Sequence, residues 1–244
     1  MYQVLTCLST EHDWRLVLLA AVVCFLSSAV AISLFNRARA SQGWTRAVWV
    51  ALDAAVSGCG IWATHFIAVL AYDPGNGAGY SIRVTVLSLI LAVLINGLGF
   101  GIALSNPGRM FAAIGGAVVG IGVAAMHYTG MTAILLPAHV DWSLPIVIAS
   151  ITFGIVFGAL ALLVASSHDS VNRSATATAL LTLAIVSHHF TAMGALTLVP
   201  DPTLMFEGLG ISPTMLSFLL AGAPSSFSVS RFRSPRWTVG RRGR

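Results

Sequence analysis

Three histidines recur at one interval: His65, His127 and His189 stand 62 residues apart, from 65 to 127 and from 127 to 189. Their surroundings are alike: Trp62-Ala63-Thr64-His65-Phe66, Met126-His127-Tyr128-Thr129-Gly130-Met131 and His188-His189-Phe190-Thr191-Ala192-Met193. An imidazole inside an apolar span is costly and normally paired, so three in register point to a built site. In the second and third copies a methionine follows four residues later, which puts His127 with Met131, and His189 with Met193, on one helical face. Val69 holds that place in the first copy. Imidazole with thioether is a borderline-to-soft donor set. It suits copper, Cu(I) above all, better than cations that want oxygen. Zinc accepts imidazole but seldom recruits methionine. His188 adds an imidazole about 100° around the helix from His189. The competing structural reading is a hydrogen-bonded triad with Tyr128 and Thr129 as partners.

The elements that carry these residues are set by composition. The chain has 244 residues, is 57% hydrophobic and 9% charged, and contains no lysine. A soluble domain of that size needs more charge on its surface. Apolar runs at 14–35, 47–71, 81–104, 111–136, 143–165 and 175–199 each reach the ~20 residues that cross a bilayer as a helix. They are continuous rather than alternating, which excludes a membrane barrel. The expected fold is an all-α integral membrane protein with six transmembrane helices, and a possible seventh at 215–229. Glu11 and Asp13 precede the first run, so it reads as a span rather than a cleavable leader.

A period of 62 residues that contains two spans makes three parallel two-helix repeats. The histidines then fall on spans two, four and six, 6, 9 and 10 residues from the ends assigned at 71, 136 and 199, roughly 10–15 Å deep. Pro74, Pro137 and Pro200 follow the motifs, with Asp73, Asp141 and Asp201 beside them as solvated turn residues. Arg37, Arg39, Arg46, Arg109 and Arg173 occupy the opposite connections, and Arg231, Arg233, Arg236, Arg241, Arg242 and Arg244 crowd the tail. The positive-inside rule places the N-terminus and the motifs outside and the arginine loops in the cytoplasm; a seventh crossing would return the tail to the cytoplasm. The net charge of +5 is this bias, and no basic module for nucleic acid is visible.

Other polar residues within spans carry humbler expectations. Asp53 is expected to pair with Arg46 or Arg109, and Asn96 to bond between helices. Gly97/Gly101, Gly116/Gly120 and Gly154/Gly158 mark close helix packing. Cys7, Cys24 and Cys59 form no metal or disulfide pattern and read as packing residues. His12, His139 and His168 do not follow the period and are left out of the site.

Met126-His127-Tyr128-Thr129 is the name-giving motif of the MHYT domain, and the chain resembles that family over about residues 10–203. The resemblance implies a bacterial inner-membrane sensor module, not an enzyme. It implies bound copper and a diatomic gas (oxygen, CO or NO) as the signal. Carried over by position, the implied ligands are His65, His127 and His189 with Met126, Met131 and Met193. Thr64 and Val69 depart from the motif in the first copy, and His188 takes a methionine's place in the third. The family usually joins this module to cytoplasmic signalling domains. Residues 204–244 read instead as a weak seventh span and an Arg/Ser-rich tail, disordered or truncated, so a separate cytoplasmic signalling protein is the expected partner. A haem b site on His127 and His189, or a copper-handling redox role, is the alternative.

Overall fold

The computed structural model describes residues 13–72, 79–167, 170–201 and 210–225. Cys7, His12, Asp73, Pro74, His168 and the six tail arginines lie outside the described residues. Among the described residues six helices are long and apolar enough to cross a membrane: α1 (Trp14–Arg39), α2 (Gly43–Ala71), α3 (Ile82–Ser105), α4 (Arg109–Met131), α5 (Leu144–Ala165) and α6 (Val171–Met193). The share of their apolar windows buried in the protein sorts them into two sets: 78, 56 and 50% for α2, α4 and α6, against 28, 33 and 28% for α1, α3 and α5. The motif helices are therefore the inner members of the bundle, and their partners face outward.

Each helix packs on its chain neighbours, and α1 also meets α6, which closes the ring. The α4–α5 contact is glycine on glycine. A Cβ on Gly116 would strike the Gly158 carbonyl oxygen, and one on Gly120 the Gly154 carbonyl oxygen. The expected partner motif on α3 is not used as a pair, because a Cβ on Gly101 would meet nothing within 4 Å. Gly99 makes the close approach there, against Gly115 and Val119. At the opposite end from the motifs, Arg39 donates to the Ala165 and Ser167 carbonyls at 2.7 and 2.6 Å. Arg46 donates to the carbonyls of Ser41 and Leu104 at 2.9 and 3.3 Å. These cations sit on helix C-termini, where the unsatisfied carbonyls favour positive charge.

At the motif end the helices stop sooner than the apolar runs suggest. α4 ends at Met131 and α6 at Met193, not at 136 and 199. The residues beyond form short strands: β1 (Gly79–Ser81), β2 (Ile134–Leu135), β3 (Ala138–Trp142), β4 (Leu196–Pro200) and β5 (Gly210–Ile211). β1 pairs with β2 and β5, and β3 pairs with β4 in the register Ala138 to Pro200, all antiparallel. Short apolar strands continue a hydrophobic run without a break in composition, so periodicity alone reads them as more helix.

A seventh helix, α7 (Pro213–Ser225), does form, but its 13 residues cover only about 20 Å, short of the ~30 Å hydrocarbon core. It packs beside α2 and β1, and residues 226–229 of the expected seventh span lie outside the described residues. The buried polar residues also depart from expectation. Asp53 is fully buried and among the described residues neither carboxylate oxygen has a hydrogen-bond partner, so it pairs with neither Arg46, which is engaged by carbonyls, nor Arg109. Asn96 donates within its own helix to the Ala92 carbonyl at 2.6 Å instead of bridging helices. Cys24 and Cys59 are free thiols, Cys24 fully buried.

Candidate metal centre

The inner helices bring the three periodic histidines to one point. All are buried, and one ligand nitrogen from each of His65, His127 and His189 lies within 4.8 Å of the others. The Nδ1 atoms face one another: His127 to His65 at 3.1 Å and His65 to His189 at 3.4 Å. The rings stand edge to face, with centroids 4.8, 5.1 and 5.3 Å apart. His65 lies six residues before Ala71, as the apolar run implies, while His127 and His189 lie closer to their helix ends than expected, four before Met131 and four before Met193. That is about 6–9 Å.

The contacts have a chemical consequence. A neutral imidazole nitrogen carries either one proton or one lone pair. His65 Nδ1 touches two other Nδ1 atoms, so at most one of those contacts is an ordinary hydrogen bond. Three lone pairs turned inward suit a cation instead. Metal–imidazole bonds of about 2.0 Å place trigonal or tetrahedral ligand nitrogens about 3.3–3.5 Å apart, close to the two distances here. The residues present therefore fit a metal ion.

Neighbouring residues shape the cluster. A Cβ on Gly130 would come within 2.5 Å of His65 Nε2, so the motif glycine leaves the space that the His65 ring fills. His188 is fully buried but turned to a different partner: its Nδ1 donates to the Ser150 carbonyl at 3.0 Å. It touches the triad edge to face, its centroid 5.1 Å from that of His127. Tyr128 does not hydrogen-bond a triad histidine through its hydroxyl, which instead meets Ser150 Oγ at 2.7 Å. Ser150 thereby ties α4, α5 and α6 together behind the site. Thr129 offers its carbonyl to Thr132 Oγ1 at 2.7 Å.

Met126, Met131 and Met193 are all buried. Met131 and Val69, one turn beyond His127 and His65, line a small cleft at the motif end. Its walls include Tyr72, Ile134 and Leu196, which are again 62 residues apart, and Leu136 with Leu198. The cleft thus lies on the pseudo-threefold axis above the histidines. Tyr80 also lines it, and burial pushes that phenol up to about 12, which keeps it uncharged. On the rim, His139 contacts the Asp201 carboxylate at 2.9 Å, another pair with the 62-residue spacing. The period held the signal for the cleft and the rim pair; Ser150 had none, since it stands on a helix without a motif.

The bacterial signalling protein N-terminal repeat named MHYT matches residues 58–117 and 120–178. The two matches start 62 residues apart and contain His65 and His127 at the same relative place. The chain belongs to the MHYT family. It is 39% identical over 225 residues to an uncharacterized signaling protein of Caulobacter vibrioides, covering 92% of this chain and 28% of that protein. It is 31% identical over 195 residues to the bifunctional diguanylate cyclase/cyclic di-GMP phosphodiesterase MucR of Pseudomonas aeruginosa. It is 36% identical over 199 residues to the cyclic di-GMP phosphodiesterase NbdA of the same organism. These last two alignments each cover 77% of this chain, but 28 and 25% of the relatives. The chain thus spans about a quarter of the length of its curated relatives, and the shared part is the membrane signalling module rather than an enzyme. No solved structure matches it.

Proposed function

We propose that this MHYT protein is a bacterial inner-membrane sensor whose three repeats hold one copper ion. The observation that carries the reading is the meeting of His65 Nδ1 with both His127 and His189 Nδ1 at 3.1 and 3.4 Å, which two hydrogen bonds cannot explain. The three imidazoles would hold the ion, and buried Met126, Met131 and Met193 are the thioethers at hand. Copper in such a set supplies a site for a diatomic gas. The motif end, with its apolar cleft, faces the exterior, as the arginine distribution implies. The inner helices bear the ligands and also form the core, so a ligand that favours one packing of α2, α4 and α6 shifts the bundle by its difference in affinity for the two packings.

The output would be read by a cytoplasmic signalling domain or protein. The cyclic di-GMP enzymes among the relatives suggest that class. Haem b has less support, because the edge-to-face rings of His127 and His189, with centroids 5.1 Å apart, leave no room for a porphyrin between them.

The test is infrared spectroscopy of purified, copper-loaded and reduced protein under CO. A bound-CO stretch that disappears in His65→Ala supports the site. A spectrum with no bound CO, or one unchanged in His65→Ala, counts against gas binding at these histidines. A Soret band in the purified protein would revive haem.

A further inference from the structure

A second group of buried polar residues lies toward the arginine end. A narrow void between the helices is lined by Ser27, Ser28, Ser57 and Asn96, among apolar neighbours that include Val119 and Leu181. Ser57, Val119 and Leu181 are the equivalent positions of the three repeats, 62 residues apart. One turn further along that face of α2 stands Asp53, whose equivalents are Gly115 and Ala177. The fold is thus built with small or apolar residues at these places twice over, and the first repeat alone carries a carboxyl and a hydroxyl.

These groups are left with unused oxygens. Among the described residues Asp53 Oδ1 and Oδ2, Ser28 Oγ and Asn96 Oδ1 are buried with no hydrogen-bond partner, and Asp53, Asn96 and Ser28 are 0, 0 and 2% exposed. Ser28, Ser57 and Asn96 also share a depth: each is 14 residues from the motif end of its helix, counted from Trp14, Ala71 and Ile82. Orphaned buried oxygens are expensive, and an intramembrane carboxylate more so, unless something satisfies them. Carboxylate, amide and hydroxyl oxygens are hard donors that select alkali and alkaline-earth cations over soft metals. One carboxylate balances one positive charge, whereas a divalent ion would leave a net charge in the apolar interior.

We propose that Asp53, Ser57, Ser28 and Asn96 form an intramembrane site for a small monovalent cation of the sodium class, separate from the histidine site. Asp53 supplies the charge and the other three supply neutral oxygens. The site does not depend on copper.

The test is thermal unfolding of the full chain in detergent at constant ionic strength, with sodium chloride exchanged for choline chloride or potassium chloride. A ligand that binds the folded state raises the midpoint in proportion to the logarithm of its concentration above Kd. The expected result is a sodium-selective rise in the wild type that grows with the logarithm of sodium concentration, is lost in Asp53→Asn and is retained in His127→Ala. Ser57→Val and Asn96→Leu, which are apolar at the void, should weaken apparent sodium affinity by about tenfold, the loss of one neutral oxygen on a charge. These two variants decide the matter if Asp53→Asn does not fold. No sodium-selective rise in the wild type overturns the proposal, as does an equal rise in the Asp53 or void variants. A midpoint that answers to acid and not to sodium would give Asp53 a proton alone, and also overturns it.

Discussion

His65 is the pivot of the cluster, since its Nδ1 touches both other histidines. Its ring depends on the absence of a side chain at Gly130. Gly130→Ala should therefore cost about 1–3 kcal/mol through overpacking and lower copper occupancy, read as a drop in unfolding midpoint and in metal per protein. An unchanged midpoint and full metal content would show that the His65 ring is not held as described. The periodic histidines were legible in the chain, because a polar residue in an apolar run is conspicuous. Gly130 stood inside the motif, but its role was not legible, since a close approach involves a second helix. The same limit hid the true surroundings of Asp53: spacing offered Arg46 or Arg109 as a partner, while the carbonyls at the helix ends had the stronger claim on Arg46.

Spans were readable as elements, because a bilayer demands about 20 apolar residues in a row. Their ends were not. Residues 134–142 and 196–200 pair as strands across the motif end, and no charge or glycine run separates them from the helices before them. Among the glycine motifs, composition could not say which faces met. Gly120 lies against the Gly154 backbone, whereas Gly101 faces open space. Gly120→Val should thus destabilise by about 1–3 kcal/mol or more, and Gly101→Ala should be neutral or gain a few tenths through helix propensity. Thermal unfolding of the two variants side by side checks this. Equal effects would contradict the α4–α5 contact.

The whole molecule is a pseudo-threefold bundle of two-helix units, with a cleft, a histidine triad and a polar void along one axis. The repeat was legible from its period. That the motif helices form the inner ring was not, since α5 is more apolar than α6 yet less buried. Orientation has its own measurement. In a background with Cys7, Cys24 and Cys59 replaced by serine, Asp141→Cys on β3 should react with an impermeant maleimide on intact cells. Asn106→Cys at the arginine end should react only after lysis, and the reverse pattern would invert the topology. Most direct for the central claim is copper per protein, after reconstitution and gel filtration, in the wild type beside His127→Ala. About one copper per chain in the wild type and little in the variant is the expected result. A wild type that retains no copper, or a variant that retains as much, would contradict the metal centre.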